Sequence, residues 1–300
     1  MIYMFIAIAC ATVFSVIFSI LQKKRVNVNV AMLANYITAS LFSGITVLFR
    51  MESAGVRDIS AIWPGNSVLV LALATGIIYS TGFLLRDIAT AHCGVSISTI
   101  SSRVSFIVPV VLSWLLLADK EPYWSSVALI LISVGLISFR KEKTQQQFDL
   151  TGLGILALLF LIYGMSDFFL KYARVLSGGS GAAAEIRLSC FTALIFVCAT
   201  FISLGLCIAA GSFGKSEHIV RDVLYGVFIG LVNVGNTAAV IASLGRMPAS
   251  YFYPIYNISV VLVCTIIGTV FLKERLSRMQ VAGIILAALS IILFYTIQSA

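Results

Sequence analysis

The chain has 300 residues, of which 60% are hydrophobic and 11% charged, with a formal net charge of +8 and a mean hydropathy of +1.05. Because ordinary soluble domains contain about 25% charged residues, this composition excludes a soluble globular protein and predicts a polytopic membrane protein. The lipid bilayer is therefore an expected partner. The positive charges are spread over short connections and form no long basic run, so nucleic acid is not expected to bind.

Ten apolar stretches follow one another along the chain. A helix needs about 20 apolar residues to cross a bilayer, and the runs are continuous rather than alternating, which favours helices over a barrel. The first stretch lacks a basic leader and a small-residue cleavage site, so we expect it to be retained as a helix. The predicted transmembrane helices are 3–21, 29–49, 67–85, 94–117, 124–139, 152–173, 185–210, 222–245, 249–272 and 279–297.

The last two spans match spans four and five when the sequence is shifted by 155 residues, without a gap over about 45 residues. In both places a short charged corner separates two apolar runs. The matched positions are Leu117 with Leu272, Asp119 with Glu274, Ala128 with Gly283, and Gly135 with Ser290. This match predicts a duplicated chain, with a first five-helix repeat at 1–144 and a second at 145–300.

Each repeat contains five spans, which is an odd number. The two copies must therefore enter the membrane from opposite sides, as an inverted repeat. Secondary transporters commonly have this arrangement, with a substrate site near the middle of the membrane that opens to each side in turn. The sequence thus predicts an all-α membrane protein of ten helices in two inverted five-helix repeats.

The paired corners make the chain resemble the drug/metabolite transporter superfamily, and within it the EamA-type ten-helix transporters. The residues that carry the resemblance are the corner Phe271-Leu272-Lys273-Glu274-Arg275-Leu276-Ser277, Gly283, Pro109 ten residues before Asp119, and Arg187. The chain departs from the family pattern at Asp119, where Glu is usual, and at Cys264, where Pro is common. The resemblance implies a transporter in the cell's inner membrane, with both termini in the cytoplasm. Relatives carry amino acids and other metabolites, or sugars and nucleotide-sugars.

The distribution of positive charge points to the other orientation. Lys and Arg are more numerous in the odd-numbered connections than in the even-numbered ones. By the positive-inside rule, this would place both termini outside. The two arguments agree that the termini share one side of the membrane.

Arg103 is the sharpest single signal for a site. It lies about ten residues into span four, near the middle of the membrane. A central Arg costs roughly 2.5–3.5 kcal/mol on insertion scales, so it should face a cavity or a partner. Thr99 precedes it by one turn and extends a polar face. The guanidinium can hold a carboxylate or phosphate; a structural ion pair or a clamp on backbone carbonyls is the alternative.

Asp167 is the carboxylate that lies clearly within a span, four residues before Lys171. Its carboxyl group can carry protons or hold the ammonium of a substrate. The alternative is a simple ion pair at the helix end, with Lys171 reaching to the membrane surface. If Arg103 and Asp167 face one cavity, their opposite charges suit a zwitterion such as an amino acid.

Polar and aromatic side chains at helical spacing on three other spans complete the predicted substrate site. In span nine Pro254 also frees a backbone carbonyl, which is tolerated beside a cavity or another helix. The alternative for these residues is hydrogen bonding between helices and an aromatic belt at the membrane surface. The candidates are Tyr79 in span three, Asn233 and Asn236 in span eight, and Tyr253, Tyr256 and Asn257 in span nine.

These patterns predict a secondary transporter that exports a small polar metabolite, an amino acid or a related zwitterion, by alternating access. A carrier of sugars, nucleotide-sugars or other organic anions is the alternative. The sequence has no HExxH or GxSxG motif and no paired intramembrane aspartates, so we expect no enzyme activity, no cofactor and no metal. Coupling to protons and facilitated diffusion both remain open, as does the direction of transport.

Overall fold

The computed structural model describes residues 1–24, 26–57, 65–138, 149–178, 181–270 and 276–299. Secondary structure in these residues is helical throughout, as the apolar runs predict. The described helices are α1 (Ile2–Lys23), α2 (Val28–Ser53), α3 (Asn66–Cys93), α4 (Val95–Val104), α5 (Ile107–Leu117), α6 (Trp124–Ser138), α7 (Leu150–Leu176), α8 (Ala182–Ala209), α9 (Ile219–Leu244), α10 (Ala249–Val270) and α11 (Arg278–Ser299).

Seven spans within the described residues are long and apolar enough to cross a membrane. They are α2, α3, the run of α4 and α5 taken together, α7, α8, α9 and α10. Large apolar side chains such as Leu48, Phe201 and Leu224 are exposed on these helices, where acyl chains can surround them. Shorter apolar helices lie within α1, α6 and α11. The prediction of an all-helical, multi-pass membrane protein is therefore confirmed.

Helix α3 is longer than the predicted span 67–85 and ends at Cys93. No helix-breaking residue follows the charged pair Arg86-Asp87 until Gly94, which has a φ of 86° and therefore suits glycine. Arg86, which the sequence prediction placed in a connection, thus lies inside a helix. This difference changes the composition of the candidate site.

The fourth predicted span, 94–117, is interrupted between α4 and α5. Pro109 explains the interruption, because it has no N–H to donate to the carbonyl of Ser105 four residues earlier. That carbonyl instead accepts from the Val108 amide at 3.0 Å, in the tighter i to i−3 pattern. The resulting break in the helix directly follows Arg103.

Contacts divide the chain into two compact units, each of which draws on both halves of the sequence. Unit 1 consists of Met1–Ser80 and Phe169–Arg246, and unit 2 of Thr81–Phe168 and Met247–Ala300. The predicted boundary between the repeats, at residues 144 and 145, lies outside the described residues. The same is true of the charged part of the second corner, residues 273–275.

In unit 1, α2 packs against α8 and α9, and α1 packs against α9. Small residues four apart let α9 approach α2. A Cβ added at Gly226 would collide with the carbonyl oxygen of Ala31, and one added at Gly230 would lie 2.6 Å from the carbonyl oxygen of Asn35. Such small-residue stripes are the usual means of close helix packing in membranes. Nearby, the amide of Asn233 donates to Oδ1 of Asn35 at 3.2 Å.

In unit 2, α6 packs along α11, and α10 packs against α5 and α6. Nε2 of Gln280 donates to the carbonyl oxygen of Ile137 at 3.1 Å, which joins α11 to α6. The corner residue Asp119 makes a contact with a residue far along the chain. Its Oδ2 accepts from the backbone N–H of Ala249 at 2.7 Å, 130 residues further along the chain. Asp119 therefore satisfies a backbone donor in the first turn of α10.

Candidate functional site

Charged and phenolic side chains gather within unit 2 on helices that are otherwise apolar. We call this group the Arg103 cluster, and it consists of Arg86 from α3, Arg103 from α4, Tyr163 and Asp167 from α7, and Tyr253 from α10. The sequence predicted three of these five residues as site residues. The other two, Arg86 and Tyr163, emerge only from the structure.

Close packing of α7 on the break between α4 and α5 builds this cluster. A Cβ added at Gly164 would lie 2.8 Å from the carbonyl oxygen of Ser105, so glycine is required for this approach. Arg103 precedes Ser105 by two residues, and Asp167 follows Gly164 by three residues. The crossing therefore brings these two ionisable side chains together.

Arg103 and Asp167 attract each other electrostatically, and both side chains are partly buried. Opposite charges that are removed from water need such a partner, as the position of Arg103 within an apolar span predicts. The hydroxyl of Tyr253 donates to the backbone carbonyl oxygen of Asp167 at 2.5 Å and joins α10 to α7. Thr99 lies one turn before Arg103 on the same face of α4.

Arg86 brings a second guanidinium to the cluster. It donates a hydrogen bond to the hydroxyl of Tyr163, which also lies within electrostatic range of Arg103. Asp87 interacts with both Arg86 and Tyr163, so cations and carboxylates are balanced in number here. In the part of the chain that the structure describes, no three His, Cys, Asp or Glu side chains come together to hold a metal ion. The cluster can therefore pair charges and form hydrogen bonds.

The other two candidates on α10 have partners on their own helix. Nδ2 of Asn257 donates to the backbone carbonyl oxygen of Tyr253 at 3.1 Å. The ring of Tyr256 stacks on that of Phe252, with 5.2 Å between ring centroids. Tyr256 and Asn257 thus belong to the same unit as Arg103, and these contacts orient them along α10.

Three predicted site residues lie in unit 1. The backbone carbonyl of Tyr79 accepts a hydrogen bond from the hydroxyl of Tyr36 at 2.6 Å. The ring centroids of Tyr79 and Phe196 are 6.1 Å apart. Asn233 is 8% exposed and bonded to α2 as described above. Asn236 follows Asn233 on the same face of α9. The contacts of Tyr79 and Asn233 join helices of unit 1, whereas the other six predicted residues lie in unit 2.

A separate ionic network joins three helices of unit 1. Glu185, in the first turn of α8, accepts from Nη1 of Arg50 at 2.9 Å and from Nη1 of Arg174 at 2.5 Å. The guanidinium of Arg174 also lies against Gly245, where an added Cβ would be 2.5 Å from Nε. A cavity of about 70 Å³ adjoins the network. Sequence analysis missed this network because Arg50 is 135 residues from Glu185, and Arg174 and Glu185 lie on different helices.

The fold and the charged cluster define a helical, multi-pass membrane protein. No family model matches the chain. Among curated proteins the chain is similar to an uncharacterized protein of Haemophilus influenzae, with 26% identity over 293 residues that cover 96% of both chains. The similarity therefore extends over both halves of the sequence. The description of that relative names no activity.

Proposed function

We propose that the chain is a secondary transporter of the drug/metabolite transporter superfamily, of the EamA type, in the inner membrane of the cell. It moves a small polar metabolite, an amino acid or a related zwitterion, by alternating access. The observation that carries this proposal is the electrostatic attraction between Arg103 and Asp167 inside apolar helices. Ionisable side chains within membrane spans are rare and commonly mark substrate or ion pathways.

The shorter apolar helices support a count of ten spans. Together with the seven long spans, the apolar stretches within α1, α6 and α11 bring the number to ten. Each of them matches a span that the sequence predicts. Helices below the usual spanning length can still cross where the bilayer thins or flanking residues reach the surface.

Matched glycine contacts support the inverted repeat. Gly76 in α3 and Gly230 in α9 are equivalent at a shift of 154 residues, close to the shift of the corners. A Cβ added at either would lie 2.6–2.7 Å from a backbone carbonyl oxygen and 2.7 Å from the Cβ three residues later in the neighbouring helix. These neighbours are Ile195 and Cys198 in α8, and Asn35 and Thr38 in α2. Helix α3 thus meets α8 as α9 meets α2, which is the exchange that a twofold between the halves produces.

The chemistry of the cluster suits a zwitterion. The planar guanidinium of Arg103 can bind a carboxylate through two parallel hydrogen bonds. The carboxylate of Asp167 can accept hydrogen bonds from a substrate ammonium. An amino acid carries both groups a few ångströms apart, so it can replace the Arg103–Asp167 pair with two new pairs. This exchange leaves no charge without a partner in the membrane.

Alternating access requires helices that change their packing between two states. The break at Pro109 provides a joint beside Arg103, because one helical hydrogen bond is missing there. When substrate leaves, Asp167 can return to Arg103 or take up a proton. The first path gives facilitated diffusion and the second gives coupling to protons.

The alternative, a carrier of sugars, nucleotide-sugars or other organic anions, gains support from Arg86. Such substrates carry phosphate or carboxylate groups that usually need more than one cation. The hydrogen bond from Arg86 to Tyr163 places a second guanidinium in the cluster. Binding to both Arg86 and Arg103 would favour a dianion over a zwitterion.

Transport by the purified full chain in liposomes tests the proposal against a panel of amino acids, sugars and phosphorylated sugars. We expect Arg103→Gln to reduce uptake of the carried compound about ten- to hundredfold. The reason is that the variant loses the proposed charged hydrogen bonds from Arg103 to the substrate, and a hydrogen bond to a charged group contributes about 1.5–3 kcal/mol to binding. Arg57→Gln is the matched control, since Arg57 is an exposed residue near the end of α2.

The single variant leaves Asp167 without its charged partner, which could lower stability. The double variant Arg103→Gln with Asp167→Asn removes both charges and keeps similar volumes. We expect it to elute as a monodisperse protein and still fail to transport. Wild-type transport by a well-folded double variant would remove the Arg103 cluster from the mechanism.

A further inference from the structure

A groove of about 940 Å³ runs along unit 1 where α1 meets the first turns of α9. Its walls include Ile17 of α1 and Ile219, Leu224 and Phe228 of α9. The three α9 side chains are 42–64% exposed. Because α9 is apolar enough to cross a membrane, acyl chains rather than water contact this surface. The volume is in the range of small-molecule sites.

One end of the groove carries charges of both signs. Glu217, His218 and Arg221 line it there. Tyr225, also in the wall, accepts a hydrogen bond from Nζ of Lys24 at 3.1 Å, and the ammonium lies 5.8 Å from the centre of its ring. The apolar groove therefore ends at one cation, one carboxylate and an imidazole, with the ammonium of Lys24 beside the wall residue Tyr225.

Asp222 lies beside Arg221 but is directed into the protein. It is 1% exposed, and its Oδ2 accepts from the backbone N–H of Asn27 at 3.1 Å and from the hydroxyl of Ser216 at 2.8 Å. Its Oδ1 accepts from Nε and Nη2 of Arg221 at 3.2 Å. The Arg221 side chain stays 36% exposed, and a guanidinium has five N–H donors. Arg221 can thus hold Asp222 and bind a second anion.

We propose that this groove binds a phospholipid whose head group carries a phosphate and a primary ammonium, as in phosphatidylethanolamine. One acyl chain lies along the apolar wall of α1 and α9. The phosphate is bound by Arg221 and Lys24, and the ammonium donates to Glu217. Phosphatidylglycerol brings no cation to Glu217, and the trimethylammonium of phosphatidylcholine has no N–H to donate.

Titration of the purified full chain in neutral detergent with lipids of identical acyl chains tests the proposal. Bound lipid is counted by native mass spectrometry. We expect phosphatidylethanolamine to bind about two- to fivefold more tightly than phosphatidylcholine or phosphatidylglycerol, the range for one partly exposed charge pair. Glu217→Gln should remove this preference. Lys24→Gln and Arg221→Gln should weaken the binding of all three lipids.

Lys215→Gln is the matched control. Lys215 is a cation in the connection between α8 and α9, which also contains Glu217. Its Nζ donates to the carbonyl oxygen of Ala210 at 2.8 Å, and it does not line the groove. Its variant should bind lipid as the wild type does. Equal binding of the three lipids, tighter binding of phosphatidylglycerol, or an unchanged preference in Glu217→Gln would each overturn the proposal. If Arg221→Gln misfolds because Asp222 loses its charged partner, the variant Lys24→Gln, at an exposed residue, tests whether cations hold the phosphate.

Discussion

Single glycines decide how closely the helices of unit 1 can pack. At Gly230 an added Cβ would meet a backbone carbonyl, which cannot move aside as the end of a flexible side chain can. At Gly235, in the same helix, the nearest atom would be Sγ of Cys10 at 3.4 Å, an ordinary van der Waals distance. An added side chain is therefore tolerated at Gly235 and not at Gly230, although a sequence pattern alone does not distinguish the two glycines.

We expect Gly230→Ala to lower the free energy of unfolding by about 1–3 kcal/mol, the usual range for overpacking. Alanine favours a helix over glycine by about 0.5–1 kcal/mol, so Gly235→Ala should be neutral or slightly stabilising. Gly76→Ala should resemble Gly230→Ala, because its contacts are equivalent. Thermal unfolding of the three variants in detergent measures the effect. Equal midpoints for Gly230→Ala and Gly235→Ala would contradict this account of the packing.

The Arg103 cluster was only partly predictable from the sequence. Arg103 and Asp167 stand out because ionisable groups are rare within apolar spans. Their meeting depends on the crossing at Gly164, which no local pattern reveals. Spacing along one helix left the alternative that Asp167 pairs with Lys171 at the membrane surface. Lys171 is only 8% exposed, so its side chain packs against other parts of the protein.

At the level of helices, spans were predictable where an apolar run ends at a charge or a glycine, because insertion into lipid requires such runs. The end of α3 was missed for the same reason. The apolar run stops at Arg86-Asp87, while the helical residues that follow continue to Gly94. Charges inside a helix lower the hydropathy of a window without ending the helix. Partners on other helices, such as Tyr163, can satisfy them.

Asp119 illustrates how one helix end depends on a distant part of the chain. It lies in the corner between spans four and five. Its Oδ1 accepts from the neighbouring Lys120 amide at 3.1 Å, and its Oδ2 accepts from the backbone N–H of Ala249 in α10. Stacking of Tyr123 on Tyr251, with ring centroids 5.6 Å apart, supports the same contact. The corner therefore fastens the start of α10 within unit 2.

We expect Asp119→Ala to lower the free energy of unfolding by about 0.5–2 kcal/mol, the usual effect of removing a helix cap. Asp119→Asn keeps an acceptor oxygen and should lose less. Hydrogen exchange at the first turn of α10 gives a local measure, since the Ala249 amide loses its acceptor. Glu121→Ala, an exposed neighbour in the same corner, is the control. Unchanged exchange in Asp119→Ala would show that another group caps α10.

For the whole molecule, the sequence predicted the class of protein because composition alone dictates a membrane environment. The match between the corners also predicted a duplicated chain of two five-helix repeats. It could not predict that each compact unit mixes both halves, because contacts between residues more than a hundred positions apart leave no local pattern. Within unit 1, Gly76 and Gly230 each lie close to a backbone carbonyl of the neighbouring helix.

The number of spans sets the relation between the two termini. An even number returns the chain to the side on which it began, and an odd number leaves it on the other side. Ten spans therefore place the termini together, whereas the seven long helices alone would separate them. Both orientation arguments, the excess of Lys and Arg in odd-numbered connections and the family resemblance, put the termini on one side. They differ on which side that is.

Reporter fusions in cells decide both questions. We expect fusions at the N-terminus and the C-terminus to report the same compartment, using a fluorescent protein that matures only in the cytoplasm and a phosphatase that is active only after export. A fusion after Ser212, between α8 and α9, should report the opposite compartment, because seven of the ten spans, an odd number, precede this position. Termini on opposite sides would rule out ten spans and, with them, two inverted repeats of five. Termini together in the cytoplasm would favour the orientation of the resembling family over the one that the excess of Lys and Arg in odd-numbered connections indicates.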